Sequence, residues 1–371
     1  EGITEIALSS VFSTVRSDME EQAFEIITEA FPDQSVTKST DIGRLGLLER
    51  ENAAIINGAL RPLAAEVVES FLALAKELDL QCPLYFTKND GTLISADQVS
   101  RLPVLTFACG PTNSMRGAAF LSGIKNGLVA DVGGTTMDVG EVQNGFPRPA
   151  GTAVSVADVQ TNFSMPDVIS IGLGGGSIID REAVTVGPDS VGHRLLEEGV
   201  VFGGSVLTAS DIAVAAGRTE MGDHPPGDLP DLAGLIGALD QKAGDAIARS
   251  RTSGEAMTVI AVGGGAVLLP DELDGLEVVR PPHYDLANAI GAAIAQVSGE
   301  DSRVIALAEG MTREEAIQSV VEAAEAAAVS NGADPDTLQL LSQSDVPLAY
   351  LPGSNLAISV TVVGELNMKG A

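Results

Sequence analysis

Residues 128 to 142 read LVADVGGTTMDVGEV. An apolar, β-branched run ends at Asp131, Gly133 and Gly134 turn the chain, Thr135 and Thr136 follow, and Asp138 lies in the next apolar run. Those residue types in that order suit a phosphate chain and its cation. Glycines lack the Cβ that would hold a ligand off, so backbone N–H groups at Gly133 and Gly134 can form an anion-binding nest. Asp131 is the expected Mg2+ holder, through water, because that ion sheds its hydration shell reluctantly. Thr135 and Thr136 offer hydroxyls to the outer phosphates. Asp138 alternates in register with the second strand and is the expected second acid, so Asp131 and Asp138 are the catalytic candidates.

Two further glycine clusters follow apolar strand-like runs: Gly174, Gly175 and Gly176 before Ser177, and Gly263, Gly264 and Gly265 in MTVIAVGGGAVLLP. A lone Gly-Gly turn is more often a hairpin or a close backbone crossing than a ligand site. Three clusters, one flanked by acids and threonines, favour a ligand. Gly263 to Gly265 are expected to let the backbone lie flat against a ligand, where a side chain would collide. For Gly174 to Ser177, packing and ligand roles both stand.

The elements that must carry these turns are legible in outline. The turn at 133–136 joins two strands of a hairpin, and a second hairpin turn is expected at Asn144-Gly145. A strand followed by a strand excludes the P-loop and the dinucleotide fingerprint, both of which need a helix next. No G-x-x-x-x-G-K-[ST] occurs. Helices are expected over 14–30 with a capping box from Ser17 and Glu20, over 47–79 as two helices or one kinked at Gly58 and Pro62, and over 231–250. Asn113 or Ser114 is expected to cap a helix of small residues, and 284–298 to form an Ala-rich helix. Beyond Met311, a helix over 312–330 and three β-like runs (337–342, 346–351, 356–365) suggest a small C-terminal α/β appendage.

Composition narrows the function classes. Among 371 residues there are 51 acids against 21 bases, a formal net charge of −30. That opposes binding to nucleic acid or an anionic membrane; most of the acids are expected on a solvated surface, with salt adaptation one explanation for their excess. Apolar residues make up 45% of the chain but aromatics only 4%, so cores of Ala, Val, Leu and Ile are expected. No run is long and apolar enough to suggest a membrane span, and a cytoplasmic location is expected. Cys82 and Cys109 form no framework, and buried reduced thiols are expected. Three histidines are too scattered for a histidine-rich metal centre.

The order of an Asp-Val-Gly-Gly-Thr hairpin and a later strand-Gly-Gly-Gly turn resembles the layout of the actin-like ATPases. More narrowly, the chain resembles the hydantoinase A / oxoprolinase family over about residues 8 to 366. The carriers are DIGRLGLLERENAAIINGALRP, TKNDGT, CGPTNSMRGA, DVGGTTMDVGEV, VISIGLGGGSI, VGPDSVG, LTASDIAVAAG and PLAYLPG. The resemblance implies an α/β, actin-like (ribonuclease H-like) fold of mixed sheets flanked by helices, with the C-terminal appendage. Its expected divisions are 1–125, the remainder of a first actin-like domain with a helical substrate side; 126–310, a second actin-like domain; and 311–371.

The resemblance also implies ATP and Mg2+ as cofactors. Asp131, Gly133, Gly134, Thr135 and Asp138 fall in the second phosphate motif, and Gly263 to Gly265 in the adenosine strand. Glu49, Arg50 and Asn57 match polar positions of a helix that faces the substrate, against the plainer reading of a surface ion pair. Cys109 stands where relatives often have Ser. The implied activity is ATP-dependent opening of a cyclic amide, a hydantoin or lactam, in an oligomer with a possible B-type hydantoinase/oxoprolinase subunit. An actin-fold kinase for a small metabolite and a non-catalytic nucleotide-sensing or scaffold subunit are the alternatives. The family's first phosphate hairpin is not found, and with Glu at position 1 this reads as a chain lacking an N-terminal subdomain or as a degenerate homologue.

Overall fold

A computed structural model describes all residues except 1, 12, 15, 44, 45, 152, 153, 255, 256, 308–310, 349–353 and 368–371. The chain divides into two compact units. Unit 1 comprises 1–108, 150–165 and 295–371, and unit 2 comprises 109–149 and 166–294.

In unit 2 the hairpin strands are β5 (Gly127–Val132) and β6 (Met137–Gln143), followed by the short β7 (Phe146–Pro147). Then come β10 (Val168–Ile171), β11 (Ser177–Asp180), β12 (Thr185–Ser190), β13 (Val259–Val262), β14 (Glu272–Leu273) and β15 (Leu276–Val279). Its helices are α4 (Cys109–Ser122), α5 (Leu195–Glu198), α6 (Ala209–Ala215), α7 (Leu232–Ser250) and α8 (Ala287–Ala293). The main sheet has the order β10-β6-β5-β13-β15-β14, with β7 on β6. β13 runs parallel to β5 and β15, while β6 is antiparallel to β5 and β10.

Strands β5 and β13 are apolar at almost every position because both faces of the sheet are covered. Leu128, Ala130, Val132, Val259 and Ala261 point into one core with α6 and α7. Val129, Ile260 and Val262 point into the other with Met115, Ala118 and Ala119 of α4 and Ala287 of α8. Each fully buried Val, Leu or Ile contributes about 1.5–3 kcal/mol of transfer free energy. Helices α4 and α8 touch backbone to backbone: a Cβ on Gly117 would lie 1.9 Å from the Ala287 carbonyl oxygen, and one on Gly291 1.8 Å from that of Asn113.

In unit 1, β1 (Glu5–Leu8) pairs with β2 (Ser35–Lys38) and β8 (Val154–Val156) with β9 (Val159–Thr161). A five-stranded sheet joins β3 (Tyr85–Thr87) and β4 (Thr92–Ser95) to β16 (Gln296–Ala306), β17 (Gln339–Pro347) and β18 (Asn355–Gly364), in the order β17-β18-β16-β4-β3. The helices are α1 (Asp18–Ala30), α2 (Leu47–Glu77), α3 (Ala96–Arg101) and α9 (Arg313–Ser330). Ala316, Val320, Ala324 and Ala328, one face of α9, pack on Leu356, Ile358, Val360 and Val362 of β18. The chain passes from one compact unit to the other at 108/109, 149/150, 165/166 and 294/295, and β16, paired in parallel with β4, draws the end of the chain into unit 1.

Several local expectations need correction. Ser17 makes no side-chain cap; Glu20 instead turns inward and accepts from Ser10 N, Ser39 Oγ and Thr40. Of the two readings for 47–79, the single helix is the one found, over Leu47–Glu77 with Pro62 inside it. Helix α4 starts at Cys109, so Asn113 and Ser114 lie buried within it rather than at its cap. Residues 284–298 divide into a 3-10 turn, α8 and the start of β16. The first two β-like runs near the C-terminus are the single strand β17, and the second extends past it to residues outside the described set. Cys82 is exposed and Cys109 half-buried, so neither thiol is fully buried.

Candidate functional site

The hairpin β5–β6 brings the two expected acids together: Asp131 and Asp138 are direct partners in the strand register, with Ser170 of β10 the next partner beyond Asp138. Burial raises the Asp131 carboxyl above its ordinary range; a hydrogen bond from Ser114 opposes this and the nearby Asp138 charge adds to it. Burial likewise raises Asp138, opposed by a hydrogen bond from Ser170. Two half-buried carboxylates side by side repel, and a cation between them relieves that repulsion.

At the turn, Gly133 N donates to Thr136 O at 2.9 Å. Gly134, Thr135 and Thr136 are exposed, and among the described residues no acceptor pairs with their amides. Both other glycine clusters converge on this turn. Gly175 N donates to Gly133 O at 3.0 Å, Gly176 N to Gly134 O at 2.7 Å, and Gly265 N to Val132 O at 2.7 Å.

The space around each glycine separates packing from other reasons for its presence. A Cβ on Gly174 would lie 2.4 Å from Thr135 N, and one on Gly176 3.0 Å from Gly134 O. On Gly263 it would lie 2.5 Å from Asp131 Oδ1, and on Gly265 2.7 Å from Gly133 O. Gly263 also has φ +83°, a left-handed conformation that favours glycine. These four are glycines because backbones cross closely. Gly134 and Gly264 have nothing within 4 Å of such a Cβ, so packing does not require glycine there. The packing role left open for Gly174 to Gly176 is therefore present at Gly174 and Gly176, against the first turn.

Of the remaining candidates, Glu49, Arg50 and Asn57 lie in unit 1 and Cys109 in unit 2. Arg50 and Asn57 are buried rather than on the surface. Arg50 donates to Ser39 Oγ, Gly46 O and Ser10 O, and Asn57 to Thr37 Oγ1 and Arg101 O. Both tie α2 to the segments around β2, which accounts for their polarity. Glu49 is half-buried, and Cys109 opens α4.

Ser114, Ser170 and Ser210 were missed by the reading from sequence. Ser114 also accepts from Asn288 of α8 at 3.2 Å, and Ser210 donates to Gly175 O through both N and Oγ. Small hydroxyl residues inside a helix, as Ser114 and Ser210 are, or a strand, as Ser170 is, carry no periodic signal; only the pairing of strands and turns shows what they reach.

Among the described residues no group of three or more His, Cys, Asp and Glu could hold a metal. Two carboxylates beside an open phosphate-type turn do fit Mg2+, which binds through one or two carboxylates together with phosphate oxygens and water. No helix among the described residues is long and apolar enough to cross a membrane.

The fold is shared with two solved enzymes. One is the ATP-dependent caprolactamase from Pseudomonas jessenii, with a TM-score of 0.70 and 17% identity over 98% of this chain and 65% of that one. The other is acetone carboxylase in a nucleotide-free structure, with a TM-score of 0.65 and 17% identity over 98% of this chain and 64% of that one. The α/β class expected from the sequence, with mixed sheets flanked by helices, is the class found. In sequence the chain is similar to the acetophenone carboxylase gamma subunit of Aromatoleum aromaticum, at 26% identity over 242 residues, 62% of this chain and 33% of that protein. It spans about a third of the length of that curated relative and just under two thirds of the solved chains. A hydantoinase/oxoprolinase profile matches residues 50–249, more than half of the chain, and the chain belongs to the hydantoinase/oxoprolinase family.

Proposed function

We propose that this chain is the nucleotide-handling part of an ATP-dependent enzyme that activates the carbonyl group of a cyclic amide, a lactam or hydantoin, for ring opening. The observation that carries the proposal is the meeting of three glycine turns at one open hairpin beside the paired carboxylates Asp131 and Asp138. The amides of Gly134 and Thr135 and the hydroxyls of Thr135 and Thr136 receive phosphate oxygens. Gly264, with open space above it, admits the adenosine. Asp131 and Asp138 would hold Mg2+, which when bound supplies positive charge to the phosphates. An unstrained amide is a poor electrophile; transfer of the γ-phosphoryl group from ATP to its carbonyl oxygen, with ADP leaving, activates the carbon, water adds there, the C–N bond breaks as the nitrogen takes a proton, and hydrolysis of the resulting acyl phosphate releases the ring-opened acid and inorganic phosphate. The chain's part is positioning and charge stabilisation, the usual demand of phosphoryl transfer.

A second reading, ATP-dependent carboxylation of a ketone, is favoured by the sequence likeness to an acetophenone carboxylase subunit. Both readings share activation of a carbonyl compound, and the subunit character of that relative supports a partner subunit, of B type under the first reading. The test is ATP turnover with candidate substrates added singly, with and without a co-expressed partner. Phosphate release that depends on a lactam or hydantoin and yields the ring-opened acid supports the first reading. Release that depends on a ketone together with bicarbonate replaces it with the second. Turnover that yields a stable phosphorylated metabolite contradicts both.

A further inference from the structure

The second glycine turn does more than fill space beside the first. Carbonyl oxygens of Gly133 and Gly134 are both held by it, through Gly175 N at 3.0 Å and Gly176 N at 2.7 Å. In a trans peptide the C=O and the N–H of one plane point in opposite directions. Fixing Gly133 O and Gly134 O toward the second turn therefore turns the N–H of Gly134 and the N–H of Thr135 away from it, and both residues are exposed.

The clamping turn is itself held at every peptide. Ser177 Oγ accepts from Gly174 N at 2.9 Å. Gly175 O accepts from Ser210 N at 3.0 Å and from Ser210 Oγ at 2.9 Å, and Gly176 O accepts from Val191 N at 2.9 Å. Ser177 and Ser210 are buried. Ser210 sits in the first turn of α6, whose start is fixed by the Thr208–Asp211 capping box. Three segments far apart in sequence thus converge to set the orientation of two peptide planes.

We propose that Gly174 to Ser177, anchored by Ser210, is a positioning clamp that aims the Gly134 and Thr135 amides at a phosphate chain. The assignment of phosphate as the target rests on the nucleotide reading above; the clamping itself does not. Ser177 and Ser210 are positioning residues, since neither offers a group to the ligand.

The test has two arms on the intact chain. In the first, without ligand, amide resonances of Gly134 and Thr135 are followed by NMR in wild type and Ser210→Ala. In the second, Mg2+-ATP affinity is measured by calorimetry on both. Ser210→Ala is expected to shift both resonances while leaving that of Gly145, at the far end of the hairpin, in place. It should weaken Mg2+-ATP about tenfold, the worth of one well-made hydrogen bond. Ser210→Thr, which keeps the hydroxyl, should restore both. Ser177→Ala, which leaves Gly174 N without its acceptor, should act in the same direction and serves if Ser210→Ala does not fold. Unshifted resonances in a folded variant overturn the clamp. Shifted resonances with unchanged Mg2+-ATP affinity overturn its aim at phosphate. Shifted resonances in a chain whose wild type binds no ATP overturn that aim together with the nucleotide reading, and leave only the clamping.

Discussion

Asp131 and Asp138 lie opposite one another across a hairpin, and both carboxyls are raised above their ordinary range by burial. That has a signature in stability against pH. A raised folded-state pKa means the native state binds more protons than the unfolded chain between the unfolded and folded values. Stability from this source is fully present below the ordinary carboxyl value of 3.8 and is lost as pH rises through the folded one. Asp131→Asn, which cannot ionise, is therefore expected to be more stable than wild type at pH about 7, with the difference vanishing near pH about 4. Urea denaturation at the two pH values checks it, and a variant less stable at neutral pH would contradict the account.

At the scale of elements, the glycines of α4 and α8 set how closely two helices approach. Gly117→Ala places a methyl 1.9 Å from the Ala287 carbonyl oxygen, a backbone atom that cannot swing away as a side chain would. The expected cost is about 1–3 kcal/mol, read as a lower urea midpoint with an unchanged slope. Gly145→Ala at the exposed hairpin turn has no such neighbour, and its cost should come only from its φ of +82°. The hairpin and its turns were legible in the sequence because an apolar run, a glycine turn and a second run leave little choice of local structure. The inside of α4 was not. Asn113 and Ser114 have the residue types of a cap, and nothing local says that the helix begins earlier, at Cys109. Glu20 and Arg50 misled for a related reason: charged residues on helices usually face water, and these two are buried by partners that the chain brings back from elsewhere, with Ser39 common to both.

The whole molecule is assembled from segments that pass repeatedly between two units, and that arrangement has no local trace. Thr92 and Ser298, 206 residues apart, share a hydrogen bond of 2.8 Å in the five-stranded sheet. A division drawn along the sequence cannot anticipate such a pairing, whereas the order of the motifs was enough to indicate the family. The net charge of −30 acts at this scale as well. Self-repulsion among 51 acids and 21 bases favours the unfolded chain and is screened within roughly 3 Å at about 1 M salt. The melting temperature is expected to rise as KCl is increased from about 0.05 M to about 1 M, in a thermal unfolding series at constant pH. A fall over that range would show that specific ion pairs, such as Arg218 with Asp240, outweigh the general repulsion.

The central claim is that the hairpin at 131–138 is a phosphate and cation site. Calorimetric titration of Mg2+-ATP into this chain and into Asp131→Ala tests it most directly. The account predicts binding in the range of about 1–100 μM for the wild type, about −8.2 to −5.5 kcal/mol, and none measurable for the variant. A folded wild type that binds no nucleotide, or an Asp131→Ala variant that binds as well as the wild type, would contradict it.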